Sequence, residues 1–261
     1  MPFLPLHDIN PRILIAQPWV TWGAIAACVL VYVIQVTGSP QDMERLVYGL
    51  GVIPATLTGE AELVPELYMV PAWATLITST FLHGGFMHLV GNMLYLWVFG
   101  DNVEDSMGHG RFIVFYLVCG IVAGLAQTAA DPGSVIPTIG ASGAVSGILG
   151  AYLLLHPKAK VLIPIYIIPL YLPAWVLLVV WFGFQGLSVA MTDASGGGVA
   201  WWAHIGGFIA GAILIVPFRY KTIPLLDMNN KPSGIRMTSD YRWGKTRAGR
   251  EDGGKRKGPW T

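Results

Sequence analysis

The sequence is poor in charge and in cysteine. Of its 261 residues, 12% are charged and 54% are hydrophobic, with a mean hydropathy of +0.56. An ordinary soluble domain carries roughly a quarter charged residues, so this composition excludes a disordered chain, a nucleic-acid binder and most water-soluble enzymes. The two cysteines, Cys28 and Cys119, lie inside apolar runs, which excludes the disulfide framework of a small secreted domain. The composition predicts a polytopic membrane protein.

Six apolar runs without lysine, arginine, aspartate or glutamate are long enough, or nearly long enough, to span a bilayer, which takes roughly 20 residues. They cover residues 18–37, 84–100, 112–130, 142–156, 161–190 and 199–218. The first run is too long for a removable signal peptide and lacks a small-residue cleavage site. We therefore expect an all-α membrane protein, in which a six-transmembrane-helix bundle over residues 18–218 follows a short N-terminal segment, residues 1–17.

The positive charges indicate the orientation of this bundle. Six spans place both termini on one side, and the loops on that side hold all but one of the sixteen lysines and arginines. The exception is Arg45, and the clearest single loop is the one that carries Lys158 and Lys160. Cytoplasmic loops carry an excess of lysine and arginine, so the pattern predicts that both termini are cytoplasmic.

Two segments outside the spans differ in character. The first loop, residues 38–83, is long, acidic and dotted with apolar residues, which favours short amphipathic helices on the outer surface. The tail, residues 219–261, mixes basic residues with glycine and proline and has little periodicity, so it predicts a disordered cytoplasmic extension that touches anionic lipid. The sequence shows no internal repeat, and this absence argues against a transporter built from inverted repeats.

The fourth span is too short to cross alone. A helix from Ser142 to His156 holds about fifteen residues, or roughly 22 Å, against a hydrocarbon core of roughly 30 Å. The preceding residues, 135–140, must then enter the membrane as irregular backbone, which is tolerated only where protein or water surrounds it. Ser142 therefore lies below the outer surface. His204 near the start of the sixth span, and His88 and Asn92 on the second, enter from the same side.

Ser142 and His204 are candidates for nucleophilic catalysis. A serine at a helix start is commonly an N-cap, and a histidine near a span end commonly packs at the interface. Together they suggest more, because serine becomes a nucleophile when a neighbouring neutral imidazole takes its proton. Small residues that allow close helix packing support the pairing. They are Gly143, Gly147 and Gly150 on the fourth span and Gly207 and Gly211 on the sixth.

His88 and Asn92 are four residues apart and so share a helix face. With the free N–H groups at the start of the fourth span, they form a plausible oxyanion hole, although the same two side chains are also suited to holding helices together. Metal binding by His83, His88 and His204 ranks low, because no span holds a carboxylate and no His-Glu-x-x-His motif occurs. We expect no metal and no cofactor.

These residues resemble the rhomboid intramembrane serine proteases. The resemblance covers about residues 73–211 and combines several motifs in order. They are His83-Gly84-Gly85-Phe86-Met87-His88 with Asn92, Gly100-Asp101-Asn102-Val103-Glu104-Asp105 with Gly108 and Gly110, Gly140-Ala141-Ser142-Gly143, and Ala203-His204-Ile205-Gly206-Gly207.

The resemblance implies a serine endopeptidase that cleaves transmembrane segments of single-pass membrane proteins near the outer face through an acyl-enzyme. Ser142 would be the nucleophile and His204 the general base, with His88, Asn92 and the backbone N–H of Ser142 as the oxyanion hole. The implied partners are transmembrane substrates and membrane lipid, without nucleic acid, and the oligomeric state stays open. We expect a multi-pass protein of a prokaryotic plasma membrane. We also expect a flexible cap over the site at residues 193–198, a glycine-rich loop.

Two positions depart from the family pattern. Some members have an aromatic residue four positions after the nucleophile, where this sequence has Ser146, whose hydroxyl is able to hydrogen-bond the histidine instead. Many members have Trp-Arg in the first long loop, where Trp73 is followed here by Ala74. Two other interpretations remain open: a catalytically silent relative that binds transmembrane helices, and a transporter. The presence of both Ser142 and His204 argues against the first, and the absence of acidic residues from the spans argues against the second.

Overall fold

The computed structural model describes residues 5–165, 168–191 and 200–227. Most of the described residues are helical, in nine α-helices. They are α1 (Trp19–Thr37), α2 (Pro40–Leu50), α3 (Pro54–Thr58), α4 (Ala72–Thr78), α5 (Phe86–Met107), α6 (His109–Ala130), α7 (Ser142–Leu155), α8 (Ala174–Met191) and α9 (Trp201–Phe218).

Three of these helices, α1, α6 and α9, are long and apolar enough to cross a membrane by length and composition. Helix α7 and residues Ala174–Phe184 of α8 are apolar but shorter. Helix α5 continues through Met107, seven residues beyond the apolar run that ends at 100, and this extension carries Asp101, Glu104 and Asp105. The five predicted spans other than 161–190 each correspond to one helix, within a few residues at each end except at the end of α5.

The run 161–190 is a helix only in its second half, which corrects the expectation that it forms a single apolar span. Strands β2 (Lys160–Ile165) and β3 (Ile168–Pro173) form an antiparallel hairpin before α8 begins. The physical reason is local, because the strands contain prolines that remove helical N–H donors and β-branched residues that favour extended backbone. A short strand, β1 (His7–Asp8), adds to β2 and makes a three-stranded sheet, so the described fold is not purely helical.

The long first loop is built from short helices, as predicted. Helices α2, α3 and α4 lie in it together with two 3₁₀ turns, Pro65–Leu67 and Ser79–Phe81. Helix α2 starts at a capping box in which the Ser39 hydroxyl accepts from the Asp42 N–H and the Asp42 carboxylate accepts from the Ser39 N–H.

Helices α7 and α9 make the closest helix contact that bears on the site. A Cβ placed on Gly211 would lie 1.8 Å from the Gly147 carbonyl oxygen, and one on Gly207 would lie 2.1 Å from the Gly143 oxygen. Neither position can hold a larger residue without separating the helices. The predicted role of these small residues in close packing is therefore confirmed.

The C-terminal end of α5 holds the start of α1 through a buried carboxylate. Glu104 is fully buried, and its carboxylate accepts hydrogen bonds from the N–H groups of Val20 and Thr21 and from the Thr21 hydroxyl. A negative charge at this position satisfies otherwise unpaired donors in the first turn of α1. Gly108 follows with φ +80°, a conformation that favours glycine.

The chain after α9 does not leave the fold at once, which corrects the expectation of a disordered tail from 219. Ile223 is buried, and the N–H groups of Leu226 and Asp227 donate to the carbonyls of Leu154 and Leu155 at the end of α7. The remainder of the predicted tail, residues 228–261, lies outside the described residues, and so does the predicted cap at 193–198.

Candidate active site

Ser142 is the first residue of α7, and irregular backbone leads into it. Thr138 exchanges two backbone hydrogen bonds with Val52, and the Gly140 N–H donates to the Ser79 carbonyl at 2.9 Å. The segment before the helix is therefore paired with protein, which is the condition for irregular backbone at membrane depth. Helix α7 has 14 residues, so it is short for a span, as predicted.

Ser142 and His204 are in direct contact. The Nε2 atom of His204 lies 2.8 Å from the Ser142 Oγ. His204 is 4% exposed and sits in the first turn of α9, so the close packing of α7 against α9 brings two residues 62 positions apart to hydrogen-bonding distance. The His204 Nδ1 is buried and has no hydrogen-bond partner among the residues that the structure describes. Among the described residues, Ser142 and His204 therefore form a dyad, with no carboxylate or other acceptor bonded to the His204 Nδ1.

His88 and Asn92 of α5 lie beside Gly140, two residues before Ser142. A Cβ built on Gly140 would lie 2.8 Å from the His88 Nε2 and 3.7 Å from the Asn92 Nδ2, and Gly140 has φ +125°. Gly140 therefore allows its backbone to approach both side chains, a role that the sequence reasoning did not assign to it. All four predicted polar residues come together at the same end of α5, α7 and α9.

The hydrogen bonding of His88 determines which ring nitrogen carries the proton. The Gly84 N–H donates to the His88 Nδ1 at 3.3 Å. A neutral imidazole that accepts at Nδ1 carries its proton on Nε2, the atom nearest Gly140. The Asn92 Nδ2 is buried without a hydrogen-bond partner among the described residues. The His88 Nε2 and the Asn92 Nδ2 both lie next to Gly140.

His83 is fully buried, and its hydrogen bonds fix the backbone before α5. Its backbone N–H donates to the Gln35 Oε1, and the Gln35 Nε2 donates to its carbonyl, so Gln35 of α1 clamps this turn. The His83 ring packs edge-on against His88, with centroids 5.2 Å apart. Within the described ranges, no group of three histidine, cysteine, aspartate or glutamate residues is arranged to hold a metal ion.

The rhomboid domain model matches residues 71–221, a range that holds all four polar residues and the three helices that carry them. The chain belongs to the rhomboid family. It is therefore an integral membrane protein with a helical membrane fold, and its apolar helices agree with this assignment.

Curated relatives extend the rhomboid match. The chain is 32% identical over 77% of its length to the rhomboid protease GluP of Bacillus subtilis, covering 36% of that protein. It is 32% identical over 53% of its length to the mitochondrial rhomboid protein 1 of Saccharomyces cerevisiae, covering 40% of that protein. A chloroplastic rhomboid-like protein 11 of Arabidopsis thaliana is 32% identical over 40% of this chain, with 38% of its own length covered. The chain thus spans about two fifths of these relatives.

The serine in place of the family's aromatic residue does not bond the histidine. The Ser146 hydroxyl is able to bond the histidine in principle, but here it donates to the Ser142 carbonyl at 2.7 Å, one turn back on α7. Serine hydroxyls within helices commonly bond the carbonyl four residues earlier. The aromatic partner of His204 is Trp181 of α8, whose ring centroid lies 5.5 Å from the imidazole at an interplanar angle of 40°.

Trp181 is the main residue of the site that sequence reasoning missed. It lies in a different span from Ser142, and the sequence distance between Trp181 and His204 contains no periodic signal that would pair them. The other departure, Trp73 followed by Ala74, falls in α4, where Trp73 is 66% exposed.

Proposed function

We propose that this protein is an intramembrane serine endopeptidase in which Ser142 is the nucleophile and His204 the general base. The observation that carries the proposal is the 2.8 Å contact between the Ser142 Oγ and the His204 Nε2, made between helices that glycines hold close together. Membership of the rhomboid family supports it, because the similar GluP is named as a protease.

The reaction proceeds by acyl transfer. His204 Nε2 accepts the proton of Ser142 as the Oγ forms a bond to the scissile carbonyl carbon. The tetrahedral intermediate collapses with breakage of the C–N bond, and His204 gives its proton to the leaving amine. Water then attacks the acyl-enzyme, again with His204 as base, which releases the new carboxylate and restores Ser142. The dyad needs no cofactor for these steps.

The oxyanion of the tetrahedral intermediate is bound by His88, Asn92 and the backbone N–H of Ser142. The proton on the His88 Nε2 and the Asn92 Nδ2 group supply donors next to Gly140, and the first turn of α7 leaves its N–H groups free. Donors that are already oriented stabilise developing charge without reorganising during the reaction.

The substrates that suit such a site are transmembrane segments of single-pass membrane proteins. We propose six spans with both termini cytoplasmic, which puts Ser142 near the outer face and the basic loop with Lys158 in the cytoplasm. We propose a prokaryotic plasma membrane as its location, although the similar yeast and Arabidopsis proteins are named as mitochondrial and chloroplastic.

The dyad is tested by labelling the purified protein in detergent with a fluorophosphonate, which reacts with activated serines. We expect labelling of the natural sequence and none of Ser142→Ala or His204→Ala. Ser106→Ala is the matched control, because Ser106 is a buried serine that bonds the Val103 carbonyl at the other end of α5 and should not affect labelling. No labelling of the natural sequence, with a soluble serine protease reacting in the same detergent, would favour a silent helix-binding protein.

The orientation is tested separately with an impermeant thiol reagent. Both natural cysteines are 0% exposed, so a cysteine introduced at an exposed position reports alone. We expect Lys158→Cys to react only from the cytoplasmic side and Glu62→Cys only from the outer side. The reverse pattern would place the dyad near the cytoplasm and contradict cleavage at the outer face.

A further inference from the structure

A cavity of about 540 Å³ lies at the end of the bundle opposite Ser142. The N-terminal segment covers the cytoplasmic ends proposed for α1 and α5, and residues from all three line it. Its relation to the dyad follows from Tyr152, which bonds the cavity residue Asp8 and lies ten residues after Ser142 on α7, or roughly 15 Å along the helix. The cavity is thus separate from the site of the proposed protease activity, and its volume is within the range typical of small-molecule sites.

The polar wall of this cavity is formed by an ion pair between Arg12 and Asp101, together with Asp8. Arg12 Nη1 and Asp101 Oδ2 are 3.2 Å apart, and their side chains are 29% and 21% exposed, so both are within reach of a ligand. The Asp8 carboxyl, which is buried, also lines the cavity. Arginine has five N–H donors, and the described structure assigns one contact with a carboxylate to Arg12. A positively charged donor group and a negatively charged acceptor group therefore lie next to each other at the cavity wall.

The apolar side of the cavity is aromatic and partly exposed. Trp22 of α1 and Trp97 of α5 stack with centroids 6.4 Å apart, and Trp97 is 55% exposed. Tryptophans are enriched where membrane meets water, so this wall belongs at the level of the phospholipid headgroups. An ammonium over such rings gains a favourable cation–π interaction.

We propose that this cavity binds the zwitterionic headgroup of an aminophospholipid. The phosphate contacts Arg12, the ammonium contacts Asp101 and the ring faces, and the acyl chains leave along exposed Trp97. An ion pair presents a charge arrangement complementary to a headgroup that carries both signs. An anionic headgroup without an ammonium fits less well, because the Asp101 carboxylate already pairs with the Arg12 guanidinium and would repel a second negative charge.

The experiment compares lipid retention by native mass spectrometry of the delipidated full chain in detergent. Phosphatidylethanolamine and phosphatidylglycerol with identical acyl chains are added in turn. We expect retention of one phosphatidylethanolamine at a concentration roughly tenfold below that needed for phosphatidylglycerol, a ratio that corresponds to one additional charge-assisted contact. Equal retention of the two lipids would overturn the proposal.

Variants locate the binding. We expect Arg12→Gln to lose both lipids and Asp101→Asn to lose the preference for ethanolamine. Arg45→Gln, an arginine of the first loop that bonds the Glu66 carbonyl, is the matched control and should behave as the natural chain. Trp97→Leu tests the site at an exposed position that the ion pair does not depend on, and we expect weaker retention. The proposal would be overturned if Trp97→Leu and every ion-pair variant that folds retained lipid as the natural chain does.

A competition experiment with a soluble compound tests whether the ligand is a lipid or a free headgroup. Millimolar glycerophosphoethanolamine carries the same phosphate and ammonium without acyl chains. We expect it not to displace the bound lipid, because the aromatic wall adds apolar contact. Displacement at that concentration would assign the cavity to a soluble phosphoammonium compound and contradict the lipid as ligand.

Discussion

The indole ring of Trp181 lies against the imidazole of His204, with ring centroids 5.5 Å apart. The two residues come from neighbouring helices, α8 and α9, and the ring of Tyr95 on α5 also packs near Trp181, with centroids 6.1 Å apart. The His204 ring thus has Trp181 against it, and its Nε2 lies 2.8 Å from the Ser142 Oγ. Since residue 146 is not aromatic, we propose that Trp181 orients the proposed base.

Replacing Trp181 should therefore affect the rate more than substrate binding. We expect Trp181→Ala to lower kcat by about 10-fold to 100-fold with a smaller change in KM, because a loosely held base spends less time in the productive geometry. Trp181→Phe keeps an aromatic face and should recover most of the rate. Trp175→Ala, on the exposed part of the same helix, is the control. Equal losses in Trp181→Phe and Trp181→Ala, or a change confined to KM, would contradict a positioning role.

The oxyanion donors make a second prediction. Asn92→Ala should lower kcat by about 100-fold to 1000-fold, as expected for the loss of one oriented donor, with Ser142 still labelled by a fluorophosphonate, though more slowly. Gly140→Ala should also reduce the rate, because its Cβ would lie 2.8 Å from the His88 ring and displace the other donor. Cleavage by Asn92→Ala at the natural rate would show that this amide only packs between helices.

The contact between α7 and α9 predicts an effect on stability. We expect Gly211→Ala to reduce the free energy of unfolding by about 1–3 kcal/mol, because the added Cβ would overlap the Gly147 carbonyl oxygen. Gly23→Ala in α1 is a matched control, since a Cβ there meets nothing within 4 Å. Thermal unfolding in detergent measures both. A Gly211→Ala protein as stable as Gly23→Ala, with its dyad intact, would mean that the helices separate at little cost.

The docking of the N-terminal segment should depend on pH through Asp8. Burial raises the pKa of this carboxyl from 3.8 to about 7, against the opposing hydrogen bond from Tyr152. The nearby Asp101 also raises this pKa and Arg12 lowers it. The unfolded chain loses the proton near pH 4 and the folded chain near pH 7, so the contribution of Asp8 to stability falls as pH rises between those values and is constant above them.

Asp8→Asn should weaken this dependence. The asparagine oxygen is able to accept from Tyr152 and Asn102, which both bond the Asp8 Oδ2. Hydrogen exchange of residues 5–9, measured between pH 4 and 8 with correction for intrinsic exchange, reports the docking of β1. We expect protection to fall with pH in the natural chain and to fall less steeply in Asp8→Asn. Asp131→Asn, at an exposed position, should leave the natural trend unchanged. Identical pH trends in Asp8→Asn and the natural chain would rule out Asp8 as the cause.

Glu104 makes a prediction at the junction of α5 and α1. Glu104→Ala leaves the N–H groups of Val20 and Thr21 without their acceptor, and we expect a loss of about 1–3 kcal/mol in the free energy of unfolding. Glu104→Gln retains an acceptor oxygen and should lose less. Glu62→Ala, on the exposed first loop, gives the background. An unfolding free energy for Glu104→Ala equal to that of Glu62→Ala would show that other groups satisfy the start of α1.

The sequence alone determined the membrane class, five of the six helical segments and the four polar residues of the site. Long uncharged runs have no stable place in water, and Ser142, His88, Asn92 and His204 stood out because polar groups are costly inside such runs. The glycines of α7 and α9 indicated which helices meet, because close approach requires small side chains. Each of these signals is local, because it can be recognised within one short segment of the sequence.

The tertiary structure alone decided the features that depend on residues distant in the chain. The hairpin before α8 was hidden in a continuous apolar run, since hydropathy does not distinguish an apolar strand from an apolar helix. The partner of His204 is Trp181 rather than Ser146, because the orientation of neighbouring helices, and not their sequence, sets which ring faces the histidine. The residues just after α9 pack on α7 through Ile223 and through backbone hydrogen bonds to Leu154 and Leu155, and hydrogen bonds of the backbone leave no side-chain pattern in the sequence.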